Sequence, residues 1–190
     1  MFLRSLMVAG ALALSPLAAQ AELNADGLHV APWLMETFRD MREDLEEATA
    51  NGQRLAIIIE QRGCIYCAEM YEEVFVVPEI EQLLTDDFFV VRLNMYGSTE
   101  VVDFDGEVMS ESEVVRRWRI LFTPTILFFP QEVAPDATGI EAAVATMPGA
   151  FGRWTTFNMF NWVLEEGYAG EESFQQYHAR QLLTQSPEND

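Results

Sequence analysis

A buried strand that runs into a pair of cysteines constrains this chain more than any other feature. Leu55-Ala56-Ile57-Ile58-Ile59 is apolar without interruption, the mark of a central strand covered on both faces. Shortly after it comes Gly63-Cys64-Ile65-Tyr66-Cys67, which holds the only two cysteines of the 190 residues. An amphipathic run from Ala68 to Phe75 follows, so the pair sits at a strand-to-helix turn. Cysteines three apart share one helical turn, and their sulfurs can meet. Such a pair reads as a redox centre. An inert structural disulfide is the other reading, but that spacing closes too small a loop to add much stability.

The N-terminus bears on the redox compartment. Arg4 precedes a short apolar stretch, Leu6 to Leu14, and Ala19-Gln20-Ala21 fits the small-residue cleavage rule. Residues 1–21 are therefore expected to be a signal peptide cut after Ala21. A retained N-terminal anchor is the alternative, although the stretch is short for a bilayer span. Export would bring the cysteines into an oxidising compartment. The eleven basic side chains are all arginine and stand against 31 acidic ones, for a formal charge of −20. Such a surface repels phosphate backbones, so nucleic acid is not an expected partner. A hydrophobic content of 49% suits one domain with a single core.

Taken in order, residues 22–31 read as a polar N-terminal arm, residues 32–170 as the main domain and 171–190 as a C-terminal helix and polar tail. Pro32 suits a helix start, and Leu34, Phe38, Met41, Leu45 and Ala48 then mark one apolar helical face up to Asn51-Gly52. The redox helix is expected from Cys64 to Val76, and Pro78 restarts a short helix through Leu84. Phe88 to Leu93 is a second strand. Tyr96 to Val108 reads as an insertion with turns, in which Val101-Val102 forms a short strand. Asp103-Phe104-Asp105-Gly106 reads as a solvated turn, because its later positions do not continue as a calcium loop. Ser110-Glu111-Ser112-Glu113 matches a capping box for a helix ending near Ile120. Thr125 to Phe129 is a third strand and Ile140 to Thr146 a fourth. Phe151 to Glu166 is an aromatic-rich helix whose rings read as core, and Ser173 to Thr184 is a last helix. The first two strands flank a helix and should be parallel; the last two should be antiparallel. The fold class is α/β, a central mixed sheet flanked by helices, with an N-terminal helix, an insertion near 96–109 and a C-terminal helical extension.

The chemistry of the pair follows from position. Cys64 stands where a helix begins, so exposed amides favour a negative sulfur, and Arg62 adds positive potential. A thiolate is the attacking species, which makes Cys64 the nucleophile. Cys67 lies inside the first turn and resolves the mixed disulfide by attacking the Cys64 sulfur. Ile65 and Tyr66 tune the thiolate; Tyr66 either contacts substrate or covers the disulfide. Glu60 and Glu69 are the nearest carboxylates. Glu60, at the end of a buried strand, is the better candidate to accept or deliver the Cys67 proton, and Glu69 reads as a solvated helix position. A structural metal needs about four ligands, and the only histidines, His29 and His178, are unpaired and near the ends. No metal or other cofactor is therefore expected.

Gly63-Cys64-Ile65-Tyr66-Cys67 together with Phe122-Thr123-Pro124-Thr125 resembles the thioredoxin superfamily. Asn94-Met95-Tyr96-Gly97, Val102-Asp103-Phe104-Asp105-Gly106 and Arg117 to Thr125 resemble, more closely, the exported SoxW-type thioredoxins that accompany bacterial sulfur-oxidation systems. The resemblance covers Pro32 to Glu166. It implies a thioredoxin-like fold with Pro124 as its cis-proline, and a Thr123 backbone that pairs with an extended substrate segment. It implies a periplasmic, monomeric dithiol reductase of disulfide-bearing exported proteins, supplied with electrons by a membrane thiol transporter of the CcdA or DsbD kind. A disulfide oxidase or isomerase, a cytochrome c maturation reductase and a binding module without turnover are the competing readings. Two departures stand out. Cytosolic thioredoxins carry Trp-Cys-Gly-Pro-Cys, and a buried aspartate at the place of Ile58; here Glu60 would have to act in its stead.

Overall fold

The structure is a computed structural model and describes residues 21–185. The expected signal peptide, apart from Ala21, and the polar tail from Ser186 lie outside the described residues.

Its centre is β2 (Arg54–Glu60), every residue of which is buried. The run of β-branched side chains suits a pleated strand packed on both faces. Parallel to it lies β3 (Phe88–Asn94), with Leu55 opposite Phe89 and Glu60 opposite Asn94. On its other side β6 (Thr125–Phe128) runs antiparallel, Ile59 facing Thr125. An antiparallel β7 (Ala145–Pro148) and a short parallel β1 (Leu34–Met35) complete the five-stranded order β1-β3-β2-β6-β7. The mixed sheet expected from the sequence is present, with both strand directions as expected.

Alternation along the strands divides the core in two. Ala56, Ile58, Phe88, Val90, Ile126 and Phe128 point to one face. There they meet α3 (Pro78–Asp86), α6 (Arg153–Leu164) and the helix that carries the cysteines. Phe160 of α6 packs against Phe88 and Phe128, with ring centroids 5.0 and 5.4 Å apart. Trp154, read as core, is instead 42% exposed under the Arg153 guanidinium. Leu55, Ile57, Ile59, Phe89, Val91 and Leu127 point to the other face, against α1 (Met41–Ala50) and α4 (Glu111–Arg117). The capping box of Ser110 and Glu113 forms as the sequence implies. The last helix, α7 (Phe174–Gln185), packs on α6 and buries Tyr177 in the first cluster.

Four elements differ from the sequence reading. The first helix begins at Met41 rather than Pro32. Arg39 takes a left-handed φ of 59°, and the Asp40 carboxylate accepts the Arg42 and Glu43 amides as an N-cap. The chain before them is extended; Leu34 joins β1, and Phe38, counted on the apolar face, is 93% exposed. The redox helix is shorter and irregular: α2 (Ile65–Glu69) passes into a π-helical turn, Met70–Val74, closed by a bond from the Phe75 amide to the Met70 carbonyl. The expected strand from Ile140 is a helical turn, α5 (Gly139–Ala142), because Thr138 and Glu141 form a second capping box. A Cβ at Gly139 would come within 2.2 Å of the Trp118 ring, so glycine lets this turn close over the indole. In the insertion, β4 (Glu100–Val102) pairs with β5 (Val108–Ser110) as a separate ribbon. Its turn is not solvated at Asp103, which is fully buried. The Asp103 carboxylate accepts from Arg117 Nη1 at 2.9 Å, Trp118 Nε1 at 3.0 Å and the Gly139 and Phe104 amides at 2.8 Å.

Candidate active site

The cysteine pair lies at the end of β2, where Gly63 takes a φ of 70° that turns the chain into α2. Cys64 is the N-cap of that helix. The two cysteines form a disulfide with Cα atoms 5.2 Å apart. The Cys67 amide donates to Cys64 Sγ at 3.0 Å, and the Thr123 hydroxyl does so at 3.3 Å. Both donors favour the thiolate once the pair is reduced. Cys64 is 7% exposed and Cys67 is fully buried, so an incoming disulfide reaches Cys64 first. Arg62 does not supply the expected charge at the sulfur. Its guanidinium turns to the N-terminal arm and donates to the Asp26 and Ala25 carbonyls at 2.8 and 3.4 Å.

Thr123 and Pro124 stand beside the pair, and the peptide bond between them is cis. The Thr123 carbonyl is 3.5 Å from Cys64 Sγ. The Pro124 carbonyl accepts the Gly149 amide at 2.7 Å. Next to this loop runs an open groove lined by Gln61, Tyr66, Glu69, Leu121, Phe122, Thr123 and the Pro148–Ala150 segment. Its apolar walls are uncovered: Tyr66, Leu121 and Phe122 are 57, 78 and 62% exposed, and Ile65, next to Cys64, is 73% exposed. Apolar side chains left open around a reactive sulfur suit a polypeptide substrate that covers them. Glu69 is exposed on the groove wall.

At the same end of β2 is a buried polar cluster. Glu60 is fully buried. Tyr71 donates its hydroxyl to Glu60 Oε1 in a short hydrogen bond. His29 Nδ1 lies 2.9 Å from Oε2, and the His29 amide donates to the same oxygen at 3.4 Å. The His29 and Tyr71 rings stack with centroids 4.5 Å apart. Arg92 of β3 donates from Nη1 to the His29 carbonyl in another short bond. Burial pushes the Tyr71 phenol well above its ordinary value, the Glu60 carboxylate adds to that, and the phenol stays a donor.

The structure thus places Cys64, Cys67, Thr123 and Pro124 together, with Tyr66 on the groove, Ile65 exposed next to Cys64, and Glu60 buried at the end of the strand that leads to the pair. Sequence reasoning missed His29, Tyr71 and Arg92. Tyr71 had a usable signal, four residues after Cys67 on the buried side of the helix. His29 had none, because its partner is 31 residues away across the sheet end. Among the described residues no group of three or more His, Cys, Asp or Glu side chains is arranged to hold a metal ion.

Comparison with known proteins places these features. No curated protein matches the chain. A solved thioredoxin-fold protein from Helicobacter pylori aligns with a TM-score of 0.57 and 14% identity, over 84% of this chain and 94% of its own. A thioredoxin from Thermus thermophilus aligns with a TM-score of 0.53 and 23% identity, over 70% of this chain and 90% of its own. Both are likenesses of fold. The sequence profile of the thioredoxin-like domain matches residues 41–143, more than half of the chain and all of the cysteine motif and cis-proline loop. The chain belongs to the thioredoxin-like family, and its Cys64–Cys67 pair makes it a thiol-disulfide oxidoreductase.

Proposed function

We propose that this protein is a periplasmic dithiol reductase of the SoxW type, which reduces disulfides in exported proteins, among them components of sulfur oxidation. The observation that carries the chemistry is the one reachable sulfur, Cys64, held by the Cys67 amide and the Thr123 hydroxyl at the head of an apolar, open groove. The reductive direction and the compartment rest on the resemblance of the cysteine and Thr-Pro motifs and on the expected signal peptide.

In the forward half-reaction Cys64 attacks one sulfur of the substrate disulfide. A Cys64–substrate bond forms, and the first substrate sulfur leaves with the electron pair and takes a proton. Cys67 then attacks Cys64 Sγ, forming the intramolecular disulfide and releasing the second substrate thiol. Two electrons and two protons have passed to the substrate. Thr123 offers its backbone to the substrate segment, Ile65 and Tyr66 contact it, and Glu60 takes the Cys67 proton. A membrane thiol transporter of the CcdA or DsbD kind returns the electrons to a monomeric protein.

The test is the reduction potential of the pair, by equilibration against dithiothreitol and glutathione buffers. A value near that of thioredoxin, about −270 mV, supports the reductase. A value near about −120 mV overturns it in favour of a disulfide donor. With Cys67→Ala, the mixed disulfide to Cys64 should persist and carry its substrates through purification from the periplasm.

A further inference from the structure

The N-terminal arm reads as a polar leader in the sequence, yet it ends inside the site. Asn24 folds it into a turn, its Oδ1 accepting the Asp26 and Leu28 amides at 3.0 Å. Arg62 holds that turn from the residue before Gly63. Beyond the turn, His29 is 5% exposed and brings its amide and its Nδ1 to one oxygen of Glu60.

Glu60 is placed to serve the pair. It is the last residue of β2, across from Asn94 of β3. The antiparallel register that sets Ile59 opposite Thr125 sets Glu60, one step on, opposite Pro124. Its side chain goes to the face covered by the redox helix, since Tyr71 of that helix bonds it. Cys67 stands one turn before Tyr71 and is likewise buried. The carboxyl group and the resolving thiol therefore share the space between one helix and one sheet end. The ionisable groups around Glu60 are Tyr71 from the redox helix, His29 from the arm and Arg92 from β3.

We infer that His29 is a positioning residue of the catalytic centre, which acts with Tyr71 to hold Glu60 in place as the acceptor of the Cys67 proton. The inference rests on the resolving role of Cys67 given above. The Tyr71 hydroxyl and His29 Nδ1 each donate to a different oxygen, and both bonds are strongest to a carboxylate. His29 occupies Oε2 with both its amide and its ring nitrogen, and Oε1, bound by Tyr71 alone, keeps a second lone pair free. As Cys67 sulfur attacks Cys64 Sγ, its proton passes to Glu60. The Cys64–Cys67 bond forms, the bond from Cys64 to the leaving sulfur breaks, and that sulfur takes the electron pair and a proton from water. Glu60 then returns its proton to solvent. The arm is thereby part of the machinery, and Arg92 fixes it by holding the His29 carbonyl.

The experiment follows the two steps separately in the full chain. Alkylation of reduced Cys64 by iodoacetamide reports the nucleophile. Oxidation of the reduced protein by excess glutathione disulfide, followed from mildly acidic to mildly alkaline pH, reports the closing step through release of the second glutathione. His29→Phe keeps the stack on Tyr71 and removes the Nδ1 donor. It should slow closure about tenfold or more at neutral pH and shift its pH profile, with alkylation unchanged. His29→Asn sets an amide nitrogen near the Nδ1 position and should restore most of the rate. Asn24→Ala loosens the turn that carries His29 and should shift the profile in the same direction as His29→Phe, by less. Closure that keeps its rate in His29→Phe, a uniform slowing at every pH, or an equal fall in alkylation each overturns the inference. Failure of the wild-type protein to form and release the mixed disulfide overturns the reductase reading itself, a result visible before any variant is made.

Discussion

Glu60 and Asp103 are both fully buried carboxylates, on opposite sides of the same sheet. Their surroundings differ in kind. Asp103 is bound by a guanidinium, an indole and two backbone amides, donors that keep their protons across the physiological range. It ties the insertion to α4 and α5. Glu60 is bound by a phenol and an imidazole at the sheet end that carries the cysteines. Burial alone does not mark a catalytic carboxylate; the contrast lies in what binds each one and in which end of the sheet it occupies.

Four substitutions break or sharpen this contrast. Asp103→Ala leaves Arg117 and Trp118 without their acceptor and should cost about 3–5 kcal/mol in urea unfolding. Exchange per folded molecule should be unaltered; a slower reaction would mean that the two carboxylates are not distinct. Glu60→Gln should slow closure of the Cys64–Cys67 disulfide about 100-fold, equivalent to ~2.7 kcal/mol of barrier, when followed by stopped flow. Its loss of stability should be smaller than that of Asp103→Ala.

Asp44, 3% exposed, shows a third solution. Burial pushes its carboxyl up to about 7, the charges of Asp40, Glu47 and Glu43 add to this, and the Thr37 hydroxyl opposes it. The folded state therefore holds a proton that the unfolded chain gives up near pH 4. Stability should fall as pH rises from about 4 to about 7 and then level off. Asp44→Asn should remove that slope and raise the melting temperature at pH 8 by about 2–4 °C or more, read by scanning calorimetry. Trp118→Phe, which withdraws one neutral donor from Asp103, should cost the least, about 1 kcal/mol in the same unfolding assay.

What was legible in the sequence was local. The strand Leu55–Ile59, the turn into Cys64 and Cys67, the proline before Thr125 and the Ser110 capping box each announce themselves within a few residues, and each is found. The early helix was misread because Leu34 and Phe38 fall by chance on the spacing of Met41, Leu45 and Ala48. Only the left-handed Arg39 and the cap at Asp40 reveal that the pattern joins two elements. The strand drawn from Ile140 begins only at Ala145 for a related reason: its alanines and valine suit either state, and the Thr138 cap turns its first residues into a helix. The ties from His29 to Glu60 and from Asp103 to Gly139 join residues about 30 or more apart. No local period encodes them, and both polar networks were invisible for that reason.

The bond from the Gly149 amide to the Pro124 carbonyl has a consequence for client choice. From Pro124 onward β6 is flanked by β2 and β7 on its two edges. Any peptide that adds to the cis-proline loop therefore has backbone to read only up to Thr123, a span of a residue or two. Under the proposed pairing at Thr123, so short a main-chain grip would set the strand direction and bring the client sulfur to Cys64 while carrying little sequence preference. On the proposed function, discrimination would fall to how client side chains seat among Tyr66, Leu121 and Phe122, and a reductase built on this loop would accept many clients.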